Sequence, residues 1–311
     1  MKISWLLLSS GLLCAGCART TQTSYPTSKA AAQALVNSIT GNARGSRDKA
    51  RTLRTQSDQL LAAKNYTGAM DKRLQILTLG TSKTSLLGFL SSAATQSLAL
   101  QDVATVASHL DATSCRKYAQ QIQTLDAQMP TFAVLFQNRE AEELKQLSTL
   151  TRTPQDWQKA IAGLGFTPQE QATLQKTPIP QIQTNIRNAY ATLGNWAQQP
   201  YSSAPPTISS DPYTRRYAVS GILRIVRFVW TKSKTERVLT IEALLNRYER
   251  LQKQTLTRAP LTDPFSNGAL NSRNDLIYSV GPDTKDDGGK SVPSPLRITP
   301  SDKGDILAPT F

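Results

Sequence analysis

The chain has 311 residues, enough for two domains, and a formal net charge of +14 at neutral pH. Hydrophobic residues make up 39% of the chain and aromatic residues 6%, which is low for a β-sandwich and normal for helix bundles. Residues 18–259 hold 30 Lys and Arg against 15 Asp and Glu, a net +15, whereas residues 260–311 hold 5 against 7, a net −2. The change of sign predicts a boundary near Pro260. The basic body favours anionic partners, although a dispersed, solvated surface charge explains the same count.

The first residues have the pattern of an export signal. A basic residue precedes the apolar run Trp5–Leu13, and the small residues Ala15 and Gly16 precede Cys17. This pattern resembles the lipobox of bacterial lipoproteins, although Cys14 stands where that family usually has Leu. The resemblance implies cleavage after residue 16 and a lipid on Cys17. An ordinary cleaved signal peptide is the alternative, since the apolar run is too short to cross a bilayer.

A lipobox places the chain in the bacterial cell envelope. Ala18, not Asp, follows Cys17, so the default address is the outer membrane, facing the periplasm. The expected partners are the membrane, through the lipid, and an envelope protein or an anionic polymer, but no nucleic acid. Residues 17–28 are rich in Thr and Ser and predict a flexible tether. Cys115 would be the one other cysteine of the mature chain, and we interpret it as a small, half-buried helix residue.

Apolar residues at helical spacing predict a helical body over residues 29–198. Thr153 and Thr167 are each followed by Pro, which is the N-cap and first-turn pattern of two short helices. The other predicted helices are Lys29–Ile39, ending around Gly41, then Ser46–Lys64, Thr67–Leu79, Ser82–Ser108, Ser114–Met129, Phe132–Leu150 and Gln181–Trp196.

Residues 199–212 hold four prolines among serines and predict a linker, after which residues 213–311 form the C-terminal part. Its first segment is β-rich in composition, yet Arg216, Arg224 and Arg227 fall on one helical stripe, so we predict a helix. Arginines at its centre exclude a membrane span. The stripe is the candidate surface for an anionic polymer. A separate amphipathic helix is predicted at Val238–Gln254.

The C-terminal tail combines turn formers with a short strand candidate. Asp-Pro at residue 263 and Asn-Gly at residue 267 predict turns, and Leu276–Val280 predicts a strand. The following loop is rich in Gly and Asp, and such oxygen ligands in a flexible loop suit calcium, although the spacing excludes an EF-hand. A metal-free cap that pairs two or three strands is the alternative.

The tail resembles the C-terminal end of the major pseudopilins of type II secretion. That family has an Asp-Pro-Trp/Phe turn, a Tyr-Ser-x-Gly-x-Asp strand end, a Gly-Gly loop and a closing Asp-Ile. The matching residues here are Asp263-Pro264-Phe265, Tyr278-Ser279-Val280-Gly281-Pro282-Asp283, Gly288-Gly289 and Asp305-Ile306. Since the family's loop binds calcium, the resemblance implies Asp283 and Asp305 as ligands, with Asp286 and Asp287 between them. Thr284 stands where the family has Gly.

The resemblance stops at the tail. Pseudopilins begin with a prepilin cleavage site and a long apolar helix, whereas this chain begins with a lipobox, so no role in filament assembly is implied. The whole architecture resembles exported bacterial proteins of unknown function in which a helical body precedes such a tail.

The sequence contains no recognised enzyme motif. His109 is the single histidine, which excludes multi-histidine zinc sites, and neither GxSxG nor a phosphate loop occurs. Glu140, Glu142 and Glu143 cluster on a predicted helix, for which a solvated face is the usual explanation. A hydrolase that works with carboxylates alone remains the least favoured function.

These patterns together predict a mainly α protein. The expected architecture is a multi-helix bundle or irregular helical array, followed by a small C-terminal β-hairpin and loop element. The expected function is that of a non-catalytic, membrane-anchored lipoprotein acting as an envelope interaction or scaffold module. It needs no cofactor, with calcium in the tail as the one candidate. Binding of an anionic envelope polymer through the basic helices is the alternative.

Overall fold

The computed structural model describes residues 29–79, 86–208, 210–218, 222–253, 258–273, 276–292 and 298–309. The predicted signal and tether, residues 1–28, lie outside them. The fold is mainly helical with a small three-stranded antiparallel sheet near the C-terminus, as predicted. In chain order the elements are α1 Lys29–Ala62, α2 Tyr66–Thr78, α3 Leu86–Leu100, α4 Val103–Ala107, α5 Ala112–Ala127, α6 Phe132–Leu150, α7 Pro154–Gly163, α8 Pro168–Lys176, α9 Ile179–Ala197, α10 Pro212–Ala218, α11 Ile222–Leu251, β1 Asn271–Arg273, β2 Leu276–Ser279 and β3 Ile306–Leu307. Among the helices described, none combines the length and apolarity that a bilayer span requires.

The chain divides into two compact units. Within the described part of the chain, unit 1 comprises residues 29–44, Phe132–Gln198 and Pro205–Arg224, and unit 2 comprises Gly45–Thr131, Gln199–Ala204 and residues 225–309. The division differs from the predicted boundaries, because residues 29–198 contribute to both units. Residues 45–131 fold with the C-terminal segment instead of with the rest of the predicted helical body.

Unit 1 is built around aromatic contacts between α6 and α9. The Phe132 and Trp196 ring centroids lie 6.4 Å apart in an edge arrangement, and Phe136 and Tyr190 repeat this geometry at 6.4 Å. The two short helices begin as predicted. Thr153 accepts a hydrogen bond from the backbone of Asp156 at the start of α7. A complete capping box opens α8, which satisfies amide groups that a helix start leaves without partners.

Unit 2 has two apolar clusters that meet on α11. One joins α2, α4 and α5 through buried residues such as Ile76, Val106 and Ile122, and it includes Leu244 of α11. The other joins α11 to the C-terminal tail, with Phe265 fully buried. Because α11 is packed on several sides, it runs as one helix from Ile222 to Leu251, where two helices were predicted.

Two predicted helix boundaries are wrong. Helix α1 continues through Gly41 and Gly45, since an isolated glycine costs a helix only about 1 kcal/mol. Conversely, the run predicted as Ser82–Ser108 is broken after Leu100, where Asp102 adopts a left-handed backbone conformation with φ of 53°.

Two arginines stabilise this break. The Arg54 guanidinium donates to the carbonyl oxygens of Leu98 at 3.1 Å and Gln101 at 2.9 Å, and Arg73 donates to Ala99 at 3.3 Å and also to Gln101. The last carbonyls of a helix lack partners within the helix, and these side chains provide them. Burial, and after it the charge of Arg54, lower the pKa of Arg73 to about 10.

Candidate functional site in the C-terminal tail

The sheet fixes the tail in register. Strand β2 pairs with β1 on one side and with β3 on the other, so Tyr278 lies opposite both Asn271 and Leu307. The predicted strand is confirmed over Leu276–Ser279. The Asp-rich loop, residues 281–292, leaves the end of β2 and carries three of the four predicted calcium ligands, while Asp305 immediately precedes β3.

Asp263 ties the predicted turn to the end of β2. Its side chain is almost fully buried, with 1% of its surface exposed. One carboxylate oxygen accepts from the Phe265 amide at 3.0 Å and the Ser279 hydroxyl at 2.7 Å. The other accepts from the Ser266 hydroxyl and the Val280 amide, both at 3.1 Å. Sequence reasoning identified Asp263 only as a turn former and missed this role, because the partners on β2 become neighbours only in the fold.

Asp305 holds the Asp-rich loop against the closing strand. The residue is fully buried, and its two carboxylate oxygens accept from the backbone amides of Gly289 at 2.7 Å and Asp287 at 3.3 Å. Burial raises the pKa of Asp305, and the charges of Asp286 and Asp287 raise it further, while the two hydrogen bonds act in the opposite direction. The charges of two predicted ligands in the loop therefore act on a third, the buried Asp305.

The other predicted ligands are more exposed. Asp286 accepts from the Tyr278 hydroxyl at 3.0 Å and from the Gly288 amide at 2.8 Å. Asp283 is half-buried and accepts from the Lys285 amide at 3.3 Å. Burial, with Asp286 as the next cause, raises the pKa of Tyr278.

A calcium ion takes six to eight oxygen ligands, so the four aspartates were tested as a set. Within the described residues, which include all four, no three His, Cys, Asp or Glu side chains gather as a group that could hold a metal ion. The carboxylates of Asp283, Asp286 and Asp305 accept hydrogen bonds from the tail itself. Asp286, Asp287 and Asp305 thus lie close enough for their charges to interact, but the four predicted ligands do not form a ligand shell.

Two glycines allow the loop to close. Gly281 has φ of +70°, and a Cβ atom added there would lie 2.4 Å from the carbonyl oxygen of Gly304. A side chain at residue 281 is therefore excluded by both conformation and space. Thr284 also has a positive φ, 58°. The backbone conformation that glycine favours is kept here by a β-branched residue, at a cost in strain.

The predicted anion-binding stripe is not presented to solvent at Arg227. This side chain is 4% exposed and donates to the carbonyl oxygens of Gln199 at 2.6 Å and Pro200 at 2.8 Å. Burial lowers the pKa of Arg227. The predicted exposure of Arg227 is therefore wrong, because the folded unit encloses this side chain. The side chains of Arg216 and Arg224 are outside the described part of the chain.

The structure also places three other residues that the sequence singled out, Cys115, His109 and Glu143. Cys115 is fully buried, more than predicted, and burial raises the pKa of its thiol. His109 is exposed and stacks on Tyr66. Glu143, predicted on a solvated face, is only 1% exposed and pairs with Arg139, because its side of α6 packs against α9.

Comparisons of the chain with models of protein families, with curated proteins and with solved structures found no match.

Proposed function

We propose that the protein is a non-catalytic lipoprotein of the bacterial outer membrane. Cys17 carries the lipid, residues 17–28 form the tether, and the folded units face the periplasm as an interaction or scaffold module. The lipobox-like sequence before Cys17 supports the anchor. A lipid on the first residue of the mature chain would leave both folded units free to engage an envelope partner.

The observation that supports the scaffold role is that charged side chains along α11 hydrogen-bond to neighbouring elements. The Arg237 guanidinium donates to Asp126 at 2.6 Å, to the Gln96 side-chain carbonyl at 2.6 Å and to the Ser233 hydroxyl at 2.8 Å. Near the end of the same helix, Glu242 accepts two hydrogen bonds from Arg258, at 2.8 and 2.7 Å. These charged side chains connect α11 to α3, α5 and the tail, instead of pointing into a cleft where a substrate could bind. Such connections favour a rigid module.

Replacement of the lipidated cysteine tests this proposal. Cys17→Ser should move the protein from the membrane fraction to the soluble periplasmic fraction, because the lipid is its only proposed anchor. Cys14→Leu is the matched control, since it changes the neighbouring cysteine to the residue that a lipobox usually has at that place and leaves Cys17 intact, so it should stay with membranes. If Cys17→Ser fractionates like the wild type, the lipoprotein assignment fails.

Calcium binding by the tail is a second proposal, supported by the buried carboxylate of Asp305 and by the charges of Asp286 and Asp287 that act on it. A bound cation would relieve the repulsion between these charges and supply charge balance to the buried Asp305. Calcium would act here as a structural ion, with no part in a reaction.

A further inference from the structure

The end of unit 2 around residue 109 presents aromatic rings together with cations. The Tyr66 and His109 ring centroids lie 4.3 Å apart with 19° between their planes, so the rings are stacked. His109 is exposed and Tyr66 half-buried. Solvent therefore reaches a flat ring pair rather than isolated side chains.

The ring pair is held rigidly from inside the unit. Arg247 of α11 donates to the carbonyl oxygens of Ser108 at 2.6 Å and Leu110 at 3.2 Å, on either side of His109. The Tyr118 hydroxyl donates to the carbonyl oxygen of Thr67, next to Tyr66, at 2.9 Å. The backbone that carries each ring is thus fixed, which lowers the entropy lost when a ligand binds.

A second ring with a cation packs against the same apolar cluster as Tyr66. Tyr248 follows Arg247 on α11, and the Arg116 guanidinium lies 5.6 Å from the centre of its ring. Arg116 belongs to α5, which begins two residues after Leu110. We name Tyr66, His109, Arg116 and Tyr248 the aromatic surface.

Charge at the aromatic surface is positive. Exposed Lys64 and Lys117 flank it in the sequence, next to Asn65-Tyr66 and Arg116. Two carboxylates are also present, since Asp111 caps α5 through the Ser114 amide and Asp71 accepts from the Tyr118 hydroxyl. The three cations Lys64, Arg116 and Lys117 outnumber them. A ligand with carboxylates would complement the remaining cations.

We propose that the aromatic surface binds an acidic polysaccharide, an extended chain of sugars bearing carboxylates. The apolar faces of sugar rings pack on flat aromatic rings, and sugar carboxylates pair with Arg116 and the adjacent lysines. The choice of ligand rests on the envelope location proposed above. Arg227 is buried and cannot contact a polyanion directly, so the proposed binding site is the aromatic surface.

Binding to a defined acidic polymer tests the proposal. Purified wild-type protein should bind polygalacturonate with an affinity that falls as salt rises, and it should not bind neutral dextran. His109→Ala and Arg116→Gln, each at an exposed side chain, should each weaken binding by about fivefold, the usual effect of losing one ring or ion contact. Lys159→Ala and Arg152→Gln on unit 1 are matched controls that should bind like the wild type.

The proposal is overturned if wild type, His109→Ala and Arg116→Gln bind polygalacturonate with equal affinity. Equal binding of polygalacturonate and dextran by the wild type would overturn it as well. Circular dichroism of each variant verifies that the fold is retained, and His109→Gln replaces His109→Ala if the latter is unfolded. Vesicles of anionic phospholipid are the third probe, and binding to them in place of the polysaccharide would also contradict it. Because binding is measured on purified protein, failure leaves the anchoring proposal unaffected.

Discussion

Replacement of Asp263 by Ala should destabilise the tail strongly. The buried carboxylate accepts four hydrogen bonds, two of them from the backbone amides of Phe265 and Val280. The exposed Ser266 hydroxyl can turn to water, but the two amides cannot move without breaking the turn or the end of β2. Each buried donor left without an acceptor costs about 1–3 kcal/mol, so the two amides alone give an expected loss of about 2–6 kcal/mol. The Ser279 hydroxyl, which is also fully buried, adds to this loss.

Urea unfolding followed by circular dichroism measures this loss, with a chelator present so that calcium cannot contribute. A loss of that size is a large part of the roughly 5–15 kcal/mol that stabilises a typical domain. Asp263→Asn keeps one acceptor oxygen and should lose less. Asp287→Asn removes a charge from an exposed side chain elsewhere in the tail and is the matched control. If Asp263→Ala unfolds at the same urea concentration as Asp287→Asn, the proposed tie between the turn and β2 does not exist.

Three further predictions follow from the buried and constrained positions. Burial raises the pKa of Glu143, so the folded state holds this proton to higher pH than the unfolded state does, and the stability it contributes at acidic pH is lost as pH rises through the folded pKa. The melting temperature of Glu143→Gln should therefore rise relative to that of the wild type from acidic to neutral pH. A difference in melting temperature that is the same at every pH would refute this. Gly281→Ala should lower the free energy of unfolding by about 1–3 kcal/mol through strain and the contact with Gly304. Gly194→Ala, in open space within α9, is the control and should be neutral or stabilising. Equal melting temperatures of the two variants would count against the loop geometry. Calcium added after chelation should raise the melting temperature of wild type but not of Asp286→Asn/Asp287→Asn, and the absence of any rise in wild type would end the calcium proposal.

Local signals in the sequence were sufficient where short-range chemistry decides the structure. Thr153 and Thr167 mark helix starts because capping depends on residues three positions away. The strand at Leu276–Ser279 was predicted from its turn-rich boundaries. The stop around Gly41 was wrong because one glycine is a weak signal against an otherwise helical run.

The sequence could not reveal which polar side chains are buried. Glu143 and Arg227 have the periodicity of solvated helix faces, and only the packing of α9 on α6, or of α11 at the centre of unit 2, places them inside. The same limit applies to Asp263 and Asp305, because several of their hydrogen-bond donors lie 16 to 18 residues away in the chain. Long-range partners of this kind leave no periodic pattern.

The pairing of Tyr66 with His109 was hidden for the same reason, since 43 positions separate the two rings in the chain. The lone histidine drew attention in the sequence only as a candidate catalytic residue. Its position on a ring stack, with Arg247 holding the backbone on both sides, is a property of the tertiary structure.

The mass of the N-terminal peptide of protein purified from bacterial membranes tests the central claim most directly. The account predicts a peptide that begins at Cys17 and carries a diacylglyceryl group on the cysteine sulfur. An unmodified peptide that begins at another residue, or a chain that retains residues 1–16, would contradict it.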